Sequence, residues 1–324
     1  LSELLKKIEI RDPRVFVGPR PGEDAALIDF GDRYLVAKTD PITFATDLVG
    51  WYMVHVNAND LAVMGATPRW LMATVLLPEG TSRNAIESVF DQISDACRGI
   101  GVTLVGGHTE VTYGLKRPIV VGAMLGEVAK DRFVLTSGAQ LGDRIVLTKG
   151  IAVEGTSILA RDAGEALVEA GISKKTVMDA KDFLLDPGIS VISEAAIACN
   201  AGMVNAMHDP TEGGLATGLL EMASASGLGL KVYGDRIPFL PECKVFCEAL
   251  GIDPLGLIAS GSLLAAVKPS ESEALIGLLT KSGIEAHEIG FFTDQSEGLV
   301  LDVGTESMDL PRFDRDEIAR YFGD

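Results

Sequence analysis

The sequence predicts a two-domain protein of the α/β class, in which each domain mixes strands and helices. Strand-like and helix-like segments alternate along the chain, which is the pattern expected when helices cover a sheet. The length of 324 residues suits two domains of about 150 residues each. A stretch rich in turn residues, 131–142, lies between the two halves. We therefore expect an N-terminal domain at 1–136 and a C-terminal domain at 137–324.

After an amphipathic helix pattern at 1–8, the first half is expected to form a hairpin and then two longer helices among further strands. Gly31 and Asp32 stand between two apolar runs and predict the hairpin turn. Ser82 precedes an amphipathic stretch and is a typical helix N-cap. The expected elements are strands 25–30 and 34–37, helix 49–64, strand 70–77, helix 82–99, a short buried strand 102–105 and strand 118–128.

The second half shows the same alternation of apolar strands and helices with apolar residues at helical spacing. The expected elements are strand 144–148, helices 154–170 and 189–201, strand 203–207, helix 212–226, strand 262–267, helix 271–282 and a final strand 286–292.

Composition narrows the classes of function. The net charge of −18 repels phosphate backbones and anionic membrane surfaces, so we expect neither a nucleic acid nor a membrane as partner. A phosphorylated small molecule is compatible with this charge, because Mg²⁺ bridges carboxylates and phosphates. Four cysteines in 324 residues do not resemble a disulfide framework, although Cys243 and Cys247 are only four residues apart. Since no apolar run approaches the roughly 20 residues that span a bilayer, we expect a cytoplasmic protein.

Three aspartates stand where a divalent cation is expected. Asp24 precedes an apolar strand, and Asp40 is expected at the end of the next strand. Asp60 lies in an otherwise apolar helix, where a carboxylate is costly unless it is paired or bound to metal. Mg²⁺ prefers such oxygen ligands and shares them with substrate phosphates. The ordinary alternatives are a turn residue at Asp24, a turn cap at Asp40 and a solvated helix residue at Asp60.

A glycine pair with polar neighbours is expected in a loop after strand 102–105. Glycines let a phosphate approach the backbone closely, so this loop is a candidate for nucleotide binding. The alternatives are a plain turn and an ordinary loop histidine. The segment is Gly106-Gly107-His108-Thr109-Glu110.

A second glycine pair opens a predicted helix in the second half. Gly213 and Gly214 follow Asp209 and Glu212 closely, and the free N–H groups of a helix N-terminus attract phosphate. Asp209 is a candidate base, metal ligand or substrate anchor, with Glu212 as a further catalytic candidate. Lys149, at another glycine-bearing turn, is a candidate phosphate ligand. An ordinary helix cap at Asp209 and a plain turn at Lys149 are the alternatives.

Taken in order, these segments resemble the AIR synthetase (PurM-like) superfamily. That superfamily includes the hydrogenase-maturation factor HypE, thiamine-monophosphate kinase, selenophosphate synthetase and the glutamine-dependent purine amidotransferase. The last segment is most similar to HypE. The matching segments are 22–26, 39–40, 59–66, 106–110 and 209–216.

The resemblance implies a PurM-like fold, whose N-terminal domain pairs with its copy in a homodimer to build a central β-barrel, followed by a C-terminal α/β domain. It implies ATP and Mg²⁺ as cofactors, and phosphoryl transfer to an amide or carbonyl oxygen of a small molecule or a protein. By the same resemblance, Asp24, Asp40 and Asp60 are metal ligands and Asp209 lines the reaction centre. The segment 106–110 then passes close to the phosphates, and a protein partner is expected in hydrogenase maturation.

Two features depart from the superfamily's pattern. Many members have an aspartate where this chain has His108, so we assign His108 a catalytic role and Glu110 the metal-binding one. HypE ends in the cysteine that is modified, whereas the last cysteine here is Cys247. Three expectations therefore stand: an amide- or carbonyl-activating enzyme, a kinase of the thiamine-monophosphate type, and a non-catalytic ATP-binding scaffold.

Overall fold

The computed structural model describes residues 2–5, 7–20, 22–43, 45 and 47–323, and these form two compact units. The first unit consists of the described residues up to Arg20 together with Asp24–Phe133, and the second of Gly22, Glu23 and the chain from Val134 onward. Each unit contains one sheet with helices packed against it. The predicted α/β class is confirmed.

Among its described residues, the first unit has six strands and three helices. They are α1 (Ser2–Leu5), β1 (Val15–Val17), β2 (Ala26–Asp29), β3 (Arg33–Ile42), α2 (Val49–Val63), β4 (Thr67–Pro78), α3 (Arg83–Ile100), β5 (Thr103–Thr112) and β6 (Ile119–Ala129). The strand order is β1-β2-β3-β6-β4-β5, and only β4 and β5 are parallel. The expected hairpin and both expected helices are confirmed, and Ser82 caps α3 by accepting a hydrogen bond from Ala85 N.

Helix α2 is buried on nearly all sides because it lies between the sheet and α3. Two glycines of β6 make room for it on the sheet side. A Cβ at Gly122 would lie 2.5 Å from Asn57 Nδ2, and a Cβ at Gly126 would lie 2.8 Å from Leu61 Cδ2. The close packing of α2 on the sheet therefore depends on side-chain-free positions in β6.

The second unit has seven strands and eight α-helices in the part of the chain that the structure describes. They are β7 (Arg144–Thr148), α4 (Val153–Asp162), α5 (Gly164–Glu169), α6 (Lys174–Lys181), α7 (Ile192–Ala201), β8 (Val204–His208), α8 (Gly214–Ser226), β9 (Gly229–Tyr233), α9 (Pro241–Leu250), β10 (Leu264–Val267), α10 (Ser272–Lys281), β11 (Ala286–Thr293), β12 (Leu299–Asp302), β13 (Ser307–Asp309) and α11 (Glu317–Phe322). The strand order is β13-β12-β9-β11-β7-β10-β8, and only β9 and β12 are parallel.

The structure corrects several expected boundaries. The strand expected at 34–37 continues as β3 to Ile42, so Asp40 lies inside a strand and not at its end. The short buried strand expected at 102–105 is the start of the ten-residue strand β5, which is exposed along nearly its whole length and contains the glycine pair. The helix expected at 154–170 is divided into α4 and α5 at Ala163. The strand β11 is not the last, because β12 and β13 follow it.

The sheet of the first unit has a linear strand order with β1 and β5 at its edges. It is therefore an open sheet, and the expected barrel would need a second copy of the chain. Of the helices in the described ranges, none has the length and apolar character that crossing a membrane requires.

We expect Gly122→Ala to destabilise the first unit, because the new Cβ would lie 2.5 Å from Asn57 Nδ2 and 2.7 Å from Met53 Sδ. Overpacking of this kind costs about 1–3 kcal/mol. Gly277→Ala in α10 is the control, since among the described residues no atom beyond its chain neighbours and its own helix backbone lies within 4 Å of its Cβ position and alanine favours helix. Urea unfolding should show a lower free energy of unfolding for Gly122→Ala alone. A Gly122→Ala protein as stable as the wild type would contradict the close packing.

Candidate active site

Polar side chains occupy the last two turns of α2 although the helix is buried. Asn57 and Asn59 are 0% exposed and Asp60 is 4% exposed. A buried polar group costs free energy unless it is hydrogen-bonded, and a buried charge costs more unless it is paired. The partners of Asn57 and Asp60 therefore show what this helix positions.

The side chain of Asn57 fixes the backbone of Asp40 against α2. Asp40 N donates a hydrogen bond to Asn57 Oδ1 at 2.9 Å, and Asn57 Nδ2 donates to Asp40 O at 3.3 Å. The same Nδ2 donates to Met53 O at 2.8 Å. The side-chain amide of Asn57 is thus hydrogen-bonded both to β3 and to its own helix. These bonds place Asp40 next to the helical turn that contains Asp60.

Lys38 lies between the carboxylates of Asp40 and Asp60. Its Nζ is 3.3 Å from Asp40 Oδ2 and 3.3 Å from Asp60 Oδ1. The side chains of Lys38 and Asp60 are only 24% and 6% exposed, so water and salt screen their attraction less than at an open surface. We call Asp40 and Asp60 the carboxylate pair. The pair already gathers one positive charge at the place where the sequence predicts a cation.

Asp24, the third predicted metal ligand, is buried in the same unit at 9% exposure. It comes two residues before Ala26, which pairs with Ala37 of β3. Because β2 and β3 are antiparallel, the chain before Ala26 is directed toward the part of β3 that contains Asp40. The role of these three aspartates as metal ligands stays a prediction.

The glycine pair lies inside β5, and the packing of β5 against β4 explains why residue 107 is a glycine. Its φ is +152°, and a Cβ at this position would lie 1.9 Å from Ala73 O in β4. The pairing of β5 with β4 shifts by one residue directly before Gly106, which is the irregularity of a β-bulge. The predicted approach of Gly106, Gly107 and Thr109 to a nucleotide stays a prediction.

His108 and Glu110 form an exposed pair on β5. His108 Nε2 lies 3.1 Å from Glu110 Oε2, and both side chains are about half exposed or more, at 64% and 48%. Alternate residues of a strand share one face, so Thr109 faces the opposite side. The arrangement presents an imidazole and a carboxylate together at an edge of the sheet.

Within one chain, this β5 segment is remote from the carboxylate pair. Asp40 pairs with Gly122 of β6, and Gly122 pairs with Ala73 of β4. Ala73 in turn pairs with Gly107. Asp40 and Gly107 therefore share one row across the sheet but are three strand spacings apart, or roughly 14 Å at ~4.8 Å per spacing. The first unit thus holds its predicted site residues in two separate groups.

In the second unit, Asp209 directly follows β8 and is 2% exposed. The preceding His208 is also buried, and its Nε2 lies 3.0 Å from Glu221 Oε2 of α8. This contact ties the end of β8 to the helix that follows the glycine pair. The structure therefore places Asp209 in the interior of the second unit, directly after a strand end that is held to α8 by the contact between His208 and Glu221.

The glycine pair before α8 has a conformation that glycine favours. Gly213 and Gly214 have φ values of +77° and +67°. A Cβ at Gly214 would lie 2.5 Å from Leu255 O, so the turn packs directly on the 3₁₀ helix Pro254–Gly256. Glu212, next to the pair, is exposed. Nucleotide binding by Gly213 and Gly214 and catalysis by Glu212 stay predictions.

Lys149 is engaged inside the second unit. It has a left-handed backbone, with φ of +58°. Its Nζ donates to Gly188 O at 3.1 Å and to Ser190 O at 2.7 Å, and it lies 2.7 Å from Glu194 Oε1. These partners match the three donors of an ammonium. A phosphate would have to displace one of them, and the predicted role of Lys149 as a cofactor ligand stays a prediction.

Sequence reasoning missed Glu154 as a buried acid. It is 5% exposed in the first turn of α4, and among the described residues its Oε2 has no hydrogen-bond partner. Burial raises the pKa of Glu154 to about 7, against a hydrogen bond from Ser260, and the carboxyls of Asp316 and Glu212 add to the rise. The available signal was an acid within the mostly apolar run 151–160. Lys38 and Asn57 were missed as well.

Both units match models of one family. Residues 22–128 match the N-terminal domain of AIR synthase related proteins, and residues 140–302 match the C-terminal domain. The chain therefore belongs to the AIR synthase related family, and the resemblance found in the sequence is confirmed.

Individual relatives include hydrogenase-maturation proteins. The chain is 31% identical over 317 residues to a protein of Methanocaldococcus jannaschii assigned to hydrogenase expression and formation, covering 95% of this chain and 91% of that protein. It is 29% identical over 280 residues to the carbamoyl dehydratase HypE of Rhizobium leguminosarum bv. viciae, covering 84% and 75%. A crystal structure of HypE in complex with ATP matches with a TM-score of 0.71 at 22% identity, covering 98% and 91%. The last comparison shows a shared fold.

We expect Glu154→Gln to remove a pH-dependent loss of stability. A carboxyl whose pKa is raised from 4.5 to about 7 stabilises the folded state below pH 4.5, and this contribution is lost as the pH rises through 7. The shift corresponds to about 3 kcal/mol. Relative to the wild type, the free energy of unfolding of Glu154→Gln should therefore rise by up to this amount between pH 5 and pH 8.

Urea unfolding at several pH values measures this difference. Glu297→Gln, at an exposed glutamate of the same unit, is the control and should follow the wild-type pH dependence. Parallel curves for Glu154→Gln and the wild type would show that Glu154 does not hold a proton in the folded state.

Proposed function

We propose that this chain is an ATP- and Mg²⁺-dependent enzyme that activates an amide or carbonyl oxygen by phosphoryl transfer. The observation that carries the proposal is the position of Lys38 between Asp40 and Asp60, a partly buried anionic pair that holds a positive charge. Phosphoryl transfer depends on charge neutralisation and positioning more than on covalent chemistry by the protein. Membership of the AIR synthase related family supports the same class of reaction.

The carboxylate pair fits a divalent cation. The ammonium of Lys38 has one oxygen of each carboxylate at 3.3 Å, and carboxylate oxygens are the ligands that Mg²⁺ prefers. Asp24, Asp40 and Asp60 would hold the ions, which would supply positive charge to neutralise the triphosphate. Lys38 would then turn its ammonium to a phosphate oxygen, while Asn57 keeps the backbone of Asp40 in place.

The proposed acceptor is an amide of a small molecule or of a protein. The Rhizobium relative is named a carbamoyl dehydratase, and removal of water from a carbamoyl group requires its oxygen to become a leaving group. The carbonyl oxygen bonds to the γ-phosphorus while the bond from that phosphorus to ADP breaks. Phosphate then leaves with this oxygen as the amide loses both protons, and a nitrile remains. Asp209 and Glu212 are the proposed proton acceptors.

We expect Mg²⁺ and ATP to raise the melting temperature of the wild-type protein and to leave that of Asp60→Asn unchanged. A ligand at 100 times its dissociation constant stabilises by about 2.7 kcal/mol, which a thermal-shift assay resolves. Asp60→Asn removes one carboxylate of the pair and so weakens the binding of the metal that carries the phosphates.

Asp91→Asn, at an exposed aspartate of α3 in the same unit, is the control and should shift like the wild type. EDTA should abolish the wild-type shift. A shift of Asp60→Asn equal to that of the wild type would remove the carboxylate pair from the nucleotide site.

A homodimer with β5 at its interface is part of the proposal. β5 is an edge strand, and Val105 and Val111 on it are 54% and 56% exposed. A long exposed edge strand with apolar side chains favours pairing with another chain. A second copy would supply the strands that the expected barrel lacks, and it would bring a second His108 and Glu110 into the assembly. A protein partner from hydrogenase maturation stays a prediction.

We expect the wild type to have twice the chain mass of 34.3 kDa in light scattering after size exclusion. Val105→Lys combined with Val111→Lys should be monomeric, because two charges on an edge strand oppose pairing. Leu141→Lys is the control, since Leu141 is also exposed, at 66%, but lies in the second unit. A monomeric wild type, or a dimeric double variant, would rule out this interface.

A further inference from the structure

The segment 313–322, which we call the strap, is bound tightly to the second unit. The ring of Phe313 lies on Gly256, where a Cβ would be 2.4 Å from a ring atom. Glu317 Oε2 accepts a hydrogen bond from Asp253 N at 3.0 Å. The two matches to the family models end at 128 and 302, so the strap lies outside both and has no role assigned by them.

Asp316 joins the strap to the glycine turn before α8. It is 5% exposed, and its Oδ2 accepts a hydrogen bond from Gly213 N at 2.7 Å. Its Oδ1 accepts a hydrogen bond from Ile318 N at 2.8 Å, and this bond caps α11. The backbone N–H of Ile258 also donates to the carboxylate of Asp316. One carboxylate thus links three segments that are distant in the chain.

The turn needs a partner of this kind. Gly213 and Gly214 both have positive φ, and glycine loses more conformational freedom on ordering than any other residue. The N–H of Gly213 lies at the start of α8, where helix geometry leaves donors unsatisfied and favours a negative charge. The carboxylate of Asp316 accepts the hydrogen bond of the Gly213 N–H and supplies a negative charge at the start of α8. The turn that it fixes comes directly after the segment that contains Asp209 and Glu212.

Capping α11 does not by itself explain a buried aspartate. Serine and asparagine cap helices about as well as aspartate does. Burial raises the pKa of Asp316 to about 6, against the bonds from Gly213, Ile318 and Ile258, and Glu212 adds to the rise. The charge is therefore held at a cost in free energy, and its second oxygen is the one that bonds to the turn.

We propose that Asp316 is a positioning residue for the reaction centre: its carboxylate holds Gly213 N–H and thereby fixes the turn that orients Asp209 and Glu212. This inference rests on the proposed function. The strap, although it follows the matched family segments, is then a functional part of the second unit.

The test compares three variants of the full chain. Asp316→Asn keeps the volume but puts an amide group where a carboxylate oxygen accepted a bond, and Asp316→Ser can cap α11 but cannot reach Gly213. Asp314→Asn is the control, since it neutralises an exposed acid of the same strap. Amide hydrogen exchange is measured along the chain, and ADP formation is measured with Mg²⁺ and ATP.

Both Asp316 variants should speed exchange of the Gly213 amide by about tenfold, the effect of losing one ordinary hydrogen bond, while β7 and β10 exchange as in the wild type. Their kcat for ADP formation should fall about tenfold with KM for ATP unchanged, because misplaced groups slow the chemical step without weakening nucleotide binding. Asp314→Asn should change neither quantity.

Wild-type exchange at Gly213 in both variants would overturn the inference, and so would faster exchange across the whole unit, which indicates a general structural role. A raised kcat would show instead that Asp316 blocks the turn. If the wild type forms no ADP, the proposed function fails, whereas the exchange at Gly213 still decides whether Asp316 holds the turn.

Discussion

The burial of Asp60 is the constraint on which the first unit depends. A carboxylate in a helix that is enclosed by a sheet and a second helix needs a positive charge beside it, and Lys38 supplies that charge at 3.3 Å. Lys38 can reach Asp60 only if β3 lies close against α2. That closeness in turn requires glycine at 122 in β6 and the two-way bond between Asn57 and the backbone of Asp40. Packing, strand register and charge are thus parts of one arrangement.

The second unit contains a buried acid in the opposite electrostatic setting. The charged groups that shift the pKa of Glu154 are the carboxyls of Asp316 and Glu212, whereas Asp60 has an ammonium beside it. A group of acids repels phosphate and favours a bound proton, while an acid pair around a cation favours a metal ion with its phosphates. Under the proposed function, the first unit would neutralise charge and the acids of the second unit would accept protons.

The sequence predicted features that depend on local patterns and missed those that depend on distant pairing. Asp60 was recognisable because a charged residue interrupted an apolar helix, and α2 and α3 were predicted within one residue at either end. The segment at 106–110 was wrongly expected in a loop, because two glycines resemble a turn, whereas pairing with β4 extends the strand through them. The hydrogen bond from Gly213 to Asp316 joins residues that are 103 positions apart, and no local sequence pattern predicts such a contact.

Glycine alone does not reveal a nucleotide site, because close approach of the protein's own backbone selects the same residue as close approach of a phosphate. The hydrogen-bond partner of the glycine N–H tells more about whether a phosphate binds there. At Gly213 the N–H is already bonded to Asp316, so a phosphate there would have to displace a buried carboxylate and would meet Glu212 beside it. At the carboxylate pair, the proposed metal ion would replace only the ammonium of Lys38, one cation for another. The charges and hydrogen bonds at these two places therefore support the proposal that the first unit neutralises the triphosphate.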